Sequence, residues 1–348
     1  MQREKIAVAR SGGVDSGAAA HLLVREGYLV HGVTFDMAHA DLPDTGAGSA
    51  AAGAAAICGV LGISHTALAC GDMFGRYVRE PFARTYMEGR TPNPCVMCNI
   101  HVKFPCLTAF ADSIGASLAA TGHYARIGES GGVYYIRRAA DVRKDQSYML
   151  WGLDSETLSR IRFPLGEFTK PQIREIAASA NLPCASTPDS QDICFIPDGD
   201  FRGYLDRAIG KSPRGSFVDE AGNILGSHIG QRNFTIGQSR GLGIALGRRM
   251  YVLRRDAEKN EVTLGGEGAL FRREVRATGI RLNWDFPAGT RFSVKLRYSQ
   301  SSYAAALTQT GEDEITAVFD EPVRAPAPGQ SMVLYDGDTL VGGGIITD

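Results

Sequence analysis

Apolar and polar positions follow two different rhythms along this chain. In the first half, mostly apolar runs of strand length are separated by stretches with helical spacing. Lys5–Ala9 (KIAVA) predicts a buried strand, and residues 16–26 (SGAAAHLLVRE) predict a helix that stops at Gly27. Residues 29–35 and 65–69 predict further strands, with a helix over 50–61 between them. Helices over 74–87 and 99–114 precede a strand at 117–121. Strands separated by helices imply an α/β domain, a parallel sheet with helices on both faces. Its ligands would bind beyond the carboxyl ends of the strands.

Past Phe201 the rhythm shortens. Gly and Pro punctuate β-rich runs: FTIG at Phe234, MYVLRR at Met250 and EVTLGG at Glu261, then 292–297, 315–319 and 331–335. This spacing predicts two small antiparallel β modules with a boundary near residues 266–270. The expected division is 1–200 for the catalytic domain, 201–267 for a central β-rich domain and 268–348 for a C-terminal barrel-like domain.

A chain of 348 residues with 44% hydrophobic and 22% charged positions has room for two or three globular domains. The formal charge of −1 excludes a global basic field, so any polyanion site must be a local patch. Seven cysteines cannot all pair internally, and the opening MQREKIAVAR lacks an apolar signal core. Both favour a reducing cytoplasm, where clustered thiols serve chemistry or metals. The uncharged stretch from Thr45 to Ser64 has membrane-spanning length. Its Ala and Gly content predicts a loop and a water-soluble helix instead.

The strongest local signal is Ser11-Gly12-Gly13-Val14-Asp15-Ser16, between a strand and a helix. Two glycines allow a tight turn with exposed amides, and the helix start adds unsatisfied N–H groups that suit a phosphate or pyrophosphate. Asp15 is a candidate to hold Mg²⁺ or position a water. No Lys follows the glycines, so this is not the loop that grips a transferred γ-phosphate.

Cys95 and Cys98 stand in TPNPCVMCN, a stretch stiffened by two prolines. A helix start near Asn99, with Arg90, His101 and Lys103 nearby, predicts a lowered thiol pKa at Cys98. A zinc site from Cys95, Cys98, His101 and Cys106 is the structural alternative. Cys194, in SQDICFI after the turn-like Thr187-Pro188-Asp189, is a third candidate thiol that could face Cys98. Cys58, Cys70, Cys106 and Cys184 sit among small apolar residues and are expected to pack.

The SGGVDS loop resembles the pyrophosphate loop of the N-type ATP pyrophosphatases. Together with TPNPCVMCN, VKF, ATGHYAR, KDQSYML, FPLG, DSQDICFI, FTIGQ, GLGI, APAPGQ and GGGII, it is similar to the bacterial tRNA-specific 2-thiouridylase family over nearly the whole chain. That resemblance implies ATP-driven transfer of sulfur to C2 of the wobble uridine of tRNA. It implies ATP binding by Ala9, Arg10, Ser11, Gly12, Gly13, Val14, Asp15 and Ser16, with Phe35 and Gly122 lining the base or ribose. Cys194 would carry a persulfide received from a donor such as a cysteine desulfurase or a relay protein. Cys98 would release the sulfur and end in a disulfide with Cys194. Asn93, Pro94 and Cys95 would touch the target base. His123, Lys144, Asp145, Gln146, Arg297, Tyr298 and Gln330 would contact the tRNA around its anticodon stem-loop.

Many members of the family place an Asp where this chain has Cys95, and Phe35 stands where Met is common. The Cys-bearing branch implies a second mechanism, in which Cys95, Cys98 and Cys194 ligate a [4Fe-4S] cluster whose fourth iron holds sulfide. Residues 226–255 contain six Arg and no acidic residue, and 124–144 contain five cations against two acids. Such patches suit phosphates, although a solvated basic face reads the same. Two other functions compete: a pyrophosphatase that amidates or ligates a small metabolite, and a non-enzymatic, metal-bearing RNA-binding module.

Overall fold

The computed structural model describes residues 3–37, 47–188 and 193–347. Asp189, Ser190, Gln191 and Asp192, read above as part of a turn and of the Cys194 motif, lie outside the described residues. The side chains before Ala50 in the Ala-rich helix do so too.

Within residues 3–188 the elements run β1 (Lys5–Ala9), α1 (Val14–Arg25), β2 (Leu29–Asp36), α2 (Ala47–Leu61), β3 (Ser64–Ala69), α3 (Gly71–Phe74), α4 (Glu80–Met87), α5 (Pro94–Cys98), α6 (Phe104–Ser113), β4 (Leu118–Ala120), β5 (Arg126–Ser130), β6 (Val133–Arg137), α7 (Ser155–Arg160), β7 (Ile161–Arg162) and α8 (Lys170–Ser179). Five strands form a parallel sheet in the order β3-β2-β1-β4-β7; the alternating pattern predicted the first four, and the two-residue β7 was not predicted. Its order reverses between β1 and β4, which opens a crevice at their carboxyl ends. Ile6, Val8, Ala20, Leu23 and Val30 bury one core of this sheet, and Ala18, Ala19, Leu165 and Ile173 bury another against α8. No helix among the described residues is long and apolar enough to cross a membrane.

The chain clusters into two compact units. One comprises residues 1–78, 95–199 and 337–341, the other residues 79–94, 200–336 and 342–348. The β5–β6 hairpin was not predicted. It belongs to the first unit, where Asp338 accepts from Arg126 (3.1 Å) and Arg137 (2.6 Å).

The chain continues with α9 (Phe201–Ile209), β8 (Gly215–Val218), β9 (Ile224–His228), β10 (Tyr251–Asp256) and β11 (Glu261–Gly265), then β12 (Phe271–Leu282), β13 (Thr290–Lys295), β14 (Tyr303–Gly311), β15 (Glu314–Arg324), β16 (Ser331–Asp336) and β17 (Thr339–Ile346), all in the second unit except residues 339–341. β10-β11-β8-β9 form a four-stranded sheet, and β12-β15-β14-β13-β16-β17 close into a barrel through β12–β17 pairing. Two expectations need correction. β11 and β8 pair in parallel, so the central module is not purely antiparallel. The FTIG run at Phe234 is a turn: Phe234 is buried as a core plug, and Gly237 bends the chain at φ 87°.

Candidate active site: a phosphate loop and a thiol recess

The loop after β1 is held by its own hydroxyls. Ser16 Oγ donates to Gly13 O (3.1 Å), accepts from Ser11 N (3.2 Å) and lies 3.3 Å from Ser11 Oγ. Gly12 adopts φ 77°, and a Cβ there would sit 2.9 Å from Ala50 O. Gly122, just after β4, approaches so closely that its Cβ would lie 2.9 Å from Asp15 C and Ser16 N. The loop is therefore clamped from the neighbouring strand across the crevice. Ala9 ends β1 beneath it, and Phe35 is half-buried near the end of β2.

Arg10 is only 3% exposed and donates from one guanidinium nitrogen to Ser16 O (2.9 Å). Its Nε and other terminal nitrogen find no acceptor among the described residues. Burial lowers its pKa, but a guanidinium stays charged, so a positive field lies under the loop. Asp15 does not stand ready for Mg²⁺. Both of its oxygens accept from Lys170 Nζ (2.7 and 2.8 Å), and Tyr124 Oη donates to one of them (2.8 Å).

Lys170 and Tyr124 escaped the sequence reading. Lys170 opens α8, whose start is fixed by a Thr169–Gln172 capping box and by Asp141 accepting from Lys170 N (3.1 Å). A Thr-x-x-Gln before a helix was the available signal. A distant segment thus places a cation, Lys170, against the loop's Asp15.

The thiol site gathers residues from two stretches of the first unit. Cys95 and Cys194 keep solvent-exposed surface although surrounding protein desolvates their thiols, Cys98 is 7% exposed, and all seven cysteines are free. The Cys194 thiol feels the charges of both Cys95 and Cys98, so the three thiols share one electrostatic neighbourhood, with Lys103 as its cation. The structure reverses the expected acidity. Burial pushes Cys98 and Cys95 up, Lys103 offsetting this only partly, and Cys194 is pushed up to about 12 by burial and by its two neighbouring thiols. The helix begins at Pro94, where a proline fits the first turn, and runs through 99–103 as one π turn into α6. Cys98 therefore sits inside the helical run and not at its positive end.

Among the described residues no group of three or more His, Cys, Asp or Glu side chains converges closely enough to hold a metal ion. The three thiols share a neighbourhood without the cage a four-iron cluster needs. The zinc grouping is also not formed: His101 stacks on Tyr77, with ring centroids 5.0 Å apart.

Several residues expected to contact tRNA are committed internally. His123 Nδ1 lies 2.7 Å from Thr121 Oγ1 and Nε2 lies 3.4 Å from Lys103 Nζ; burial, then Lys103, hold its pKa well below the usual value. Neutral His123 thus supports Lys103. Asp145 is buried and accepts from Ala139 N, Ser147 N and Ser147 Oγ, and Gln146 Oε1 accepts from Tyr124 N (2.9 Å). Lys144 is half-buried.

In the second unit, Arg297 donates to Ile236 O and Ala325 O, while Tyr298 is exposed with Lys295 Nζ 5.4 Å over its ring. Gln330 Nε2 donates to Thr91 O (3.1 Å) and Pro92 O (2.9 Å), immediately before the buried Asn93 and Pro94. Of the six Arg in 226–255, Arg232 and Arg255 are buried and structural, whereas Arg240, Arg248, Arg249 and Arg254 are exposed.

The parallel-sheet domain and its β modules fall within a recognised class. A family profile described as "tRNA methyl transferase HUP domain" matches residues 4–198, "tRNA methyl transferase PRC-barrel domain" matches 202–266, and "Aminomethyltransferase beta-barrel domain" matches 272–346. The "tRNA-specific 2-thiouridylase MnmA" of Koribacter versatilis is 41% identical over 367 residues, covering 99% of both chains. That of Heliobacterium modesticaldum is 43% identical over 358 residues, covering 99% of this chain and 92% of its own. That of Carboxydothermus hydrogenoformans is 40% identical over 358 residues, covering 99% and 98%. The chain belongs to the tRNA-specific 2-thiouridylase family.

Proposed function

We propose that the protein is a tRNA-uridine 2-sulfurtransferase that places sulfur on C2 of the wobble uridine and splits ATP to AMP and pyrophosphate. The observation that carries this reading is a phosphate-type loop in the same unit as Cys95, Cys98 and Cys194, three thiols that share an electrostatic neighbourhood with Lys103. ATP enters with its own Mg²⁺. Backbone amides of the loop through Ser16, the buried Arg10 charge and Lys170 favour its phosphates, with Phe35 and Gly122 beside the nucleoside.

The uridine C2 oxygen is a poor leaving group until it attacks the α-phosphate of ATP and expels pyrophosphate. A persulfide on Cys194 then attacks C2, and AMP departs with the former C2 oxygen. Cys98 attacks the Cys194 sulfur, which frees 2-thiouridine and leaves a Cys98–Cys194 disulfide. Asn93, Pro94 and Cys95 meet the flipped base, which leaves its stack most easily in a single-stranded anticodon loop. High thiol pKa values keep Cys98 and Cys194 protonated at rest, which protects them from premature oxidation.

Exposed Arg240, Arg248, Arg249 and Arg254, with Tyr298, offer phosphate and stacking contacts. Gln330, Arg297, His123, Asp145 and Gln146 act on tRNA by positioning other groups. A separate protein, such as a cysteine desulfurase or a persulfide relay protein, must supply the sulfur. Seven free thiols fit a reducing cytoplasm. Among the described residues no cage fits the 4Fe–4S mechanism, and a small-metabolite ligase would leave the three neighbouring thiols without a task.

The deciding experiment uses tRNA labelled with ¹⁸O at uridine C2. This reading expects the label in AMP, one per 2-thiouridine formed; unlabelled AMP would refute adenylation of that oxygen. Pyrophosphate release at full rate without tRNA would favour the metabolite enzyme, and no ATP turnover with tRNA and a persulfide donor would favour the binding module.

A further inference from the structure

Asp15 is held by two side chains from outside its loop, Lys170 and Tyr124, and both lead to one turn, residues 141–146. At one end of the turn, the buried Asp141 carboxylate accepts from Lys170 N (3.1 Å) and Arg143 N (3.1 Å). At the other end, Gln146 and Tyr124 bond reciprocally. Gln146 Oε1 accepts from Tyr124 N (2.9 Å), and Gln146 N donates to Tyr124 O (2.8 Å). Lys144 N donates to Asp141 O (3.0 Å) and closes the turn. Its tip faces solvent: Val142 is 75% exposed and the Arg143 side chain 85%. A cationic tip is thus joined at both ends to the two donors that fix Asp15.

We propose that this turn couples RNA contact to the ATP loop, with Arg143 as a phosphate contact and Tyr124 and Asp141 as positioning residues for Asp15 and Lys170. The proposal rests on the tRNA reading above and adds how bound RNA reaches the nucleotide. Arg143 Nε lies 3.7 Å from Asp141 Oδ1, and an RNA phosphate competes with Asp141 for that guanidinium. Drawing Arg143 outward moves the turn, and its two ends carry the movement to Lys170 and Tyr124. At rest Lys170 Nζ spends its charge on both Asp15 oxygens. Loosening that pair makes the charge available to the phosphates of ATP. Such coupling is reciprocal, so ATP tightens RNA binding by the same factor.

Packing alone does not call for these polar groups. The Tyr124 ring fills a core with Ala18, Leu165 and Ile173, for which a phenyl ring suffices, yet its hydroxyl is spent on Asp15. The start of α8 already has its Thr169–Gln172 capping box, and Asp141 is bonded to it as well. The Lys170 N–H, then the Arg143 N–H and the charges of Arg143 and Lys144, hold the Asp141 carboxyl below the usual carboxylate range against its desolvation. Asp141 is therefore ionised at pH 7 and pulls on both Lys170 and Arg143.

The test titrates the full chain with Mg²⁺ and α,β-methylene-ATP, whose α–β bridge is not cleaved, by calorimetry, alone and with saturating unmodified tRNA. The reverse titration gives tRNA affinity with and without the analogue. The expected result is that tRNA tightens analogue binding at least about fivefold, and the analogue tightens tRNA binding equally. Tyr124→Phe, which keeps the ring, should bring both factors below about twofold. Arg143→Ala should do the same from an exposed position where the substitution spares the fold. A factor near one in the unsubstituted chain, with both ligands bound, would overturn the proposal and leave the sulfur-transfer reading standing. So would an undiminished factor in either variant, including one in which the affinities with and without tRNA fall alike. A tRNA that does not bind at all would instead sink that reading, and this coupling with it.

Discussion

The phosphate loop and the thiol recess lie in one compact unit but are built in opposite ways. The loop is local: six consecutive residues, two hydroxyls bonded within it, and one close glycine across the crevice. The recess is assembled from the 95–103 helical run and from Cys194, almost one hundred residues later. The loop is preorganised for charge, with Arg10 and Lys170 beside it, whereas burial holds the recess thiols in their neutral form. The loop's cations are thus set in place by the fold, whereas the three thiols rest in their neutral form.

The sharpest separation of the two regions comes from Cys194→Ser and Cys98→Ser. Each should lower tRNA thiolation by more than about 10³-fold while leaving tRNA-dependent pyrophosphate release within about threefold, measured by 2-thiouridine quantification and pyrophosphate assay. Equal loss of both activities would merge the regions. Lys170→Ala should do the reverse, reducing pyrophosphate release and thiolation together by about 10²-fold, because Asp15 is left without its cation and the phosphates lose one. Full activity in that variant would remove Lys170 from the account.

Gly122→Ala probes the clamp. Its Cβ would strike the Asp15 and Ser16 backbone, which cannot swing aside, so a cost of about 1–3 kcal/mol is expected in thermal unfolding, with weaker ATP binding. Iodoacetamide labelling probes the recess. Only the thiolate reacts, so with raised pKa values the rates at Cys98 and Cys194 should climb through pH 9 without levelling. A plateau near pH 7 at either would contradict the protonated resting state. The smallest effect concerns RNA: Arg254→Ala should weaken tRNA binding and flatten its salt dependence by about 0.7–0.9 in log–log slope. Arg255→Ala should chiefly destabilise the fold, since Arg255 donates to Phe234 O and Thr91 Oγ1 from a buried position.

Local signals explain what was legible beforehand. The parallel sheet followed from apolar runs alternating with helical spacing, and the loop from glycines set between a strand and a helix. Pro94 was read as a stiffener when it is a helix start, which displaced Cys98 from the helix interior to its end and inverted its acidity. Asp145 and Gln146 are polar enough to suggest RNA, but polarity along a chain does not tell whether a side chain faces outward; both brace the backbone instead. Lys170 lies 155 positions from Asp15, beyond the reach of any local pattern. FTIG has strand composition, yet Phe234 and Gly237 spend it on a plugged turn.

Mapping the cysteines after a single turnover tests the central claim most directly. The chain is loaded with one persulfide, mixed with ATP, Mg²⁺ and unmodified tRNA without reductant, quenched and digested. The account predicts one Cys98–Cys194 disulfide for each 2-thiouridine formed. Thiolated tRNA with both cysteines still reduced would contradict it.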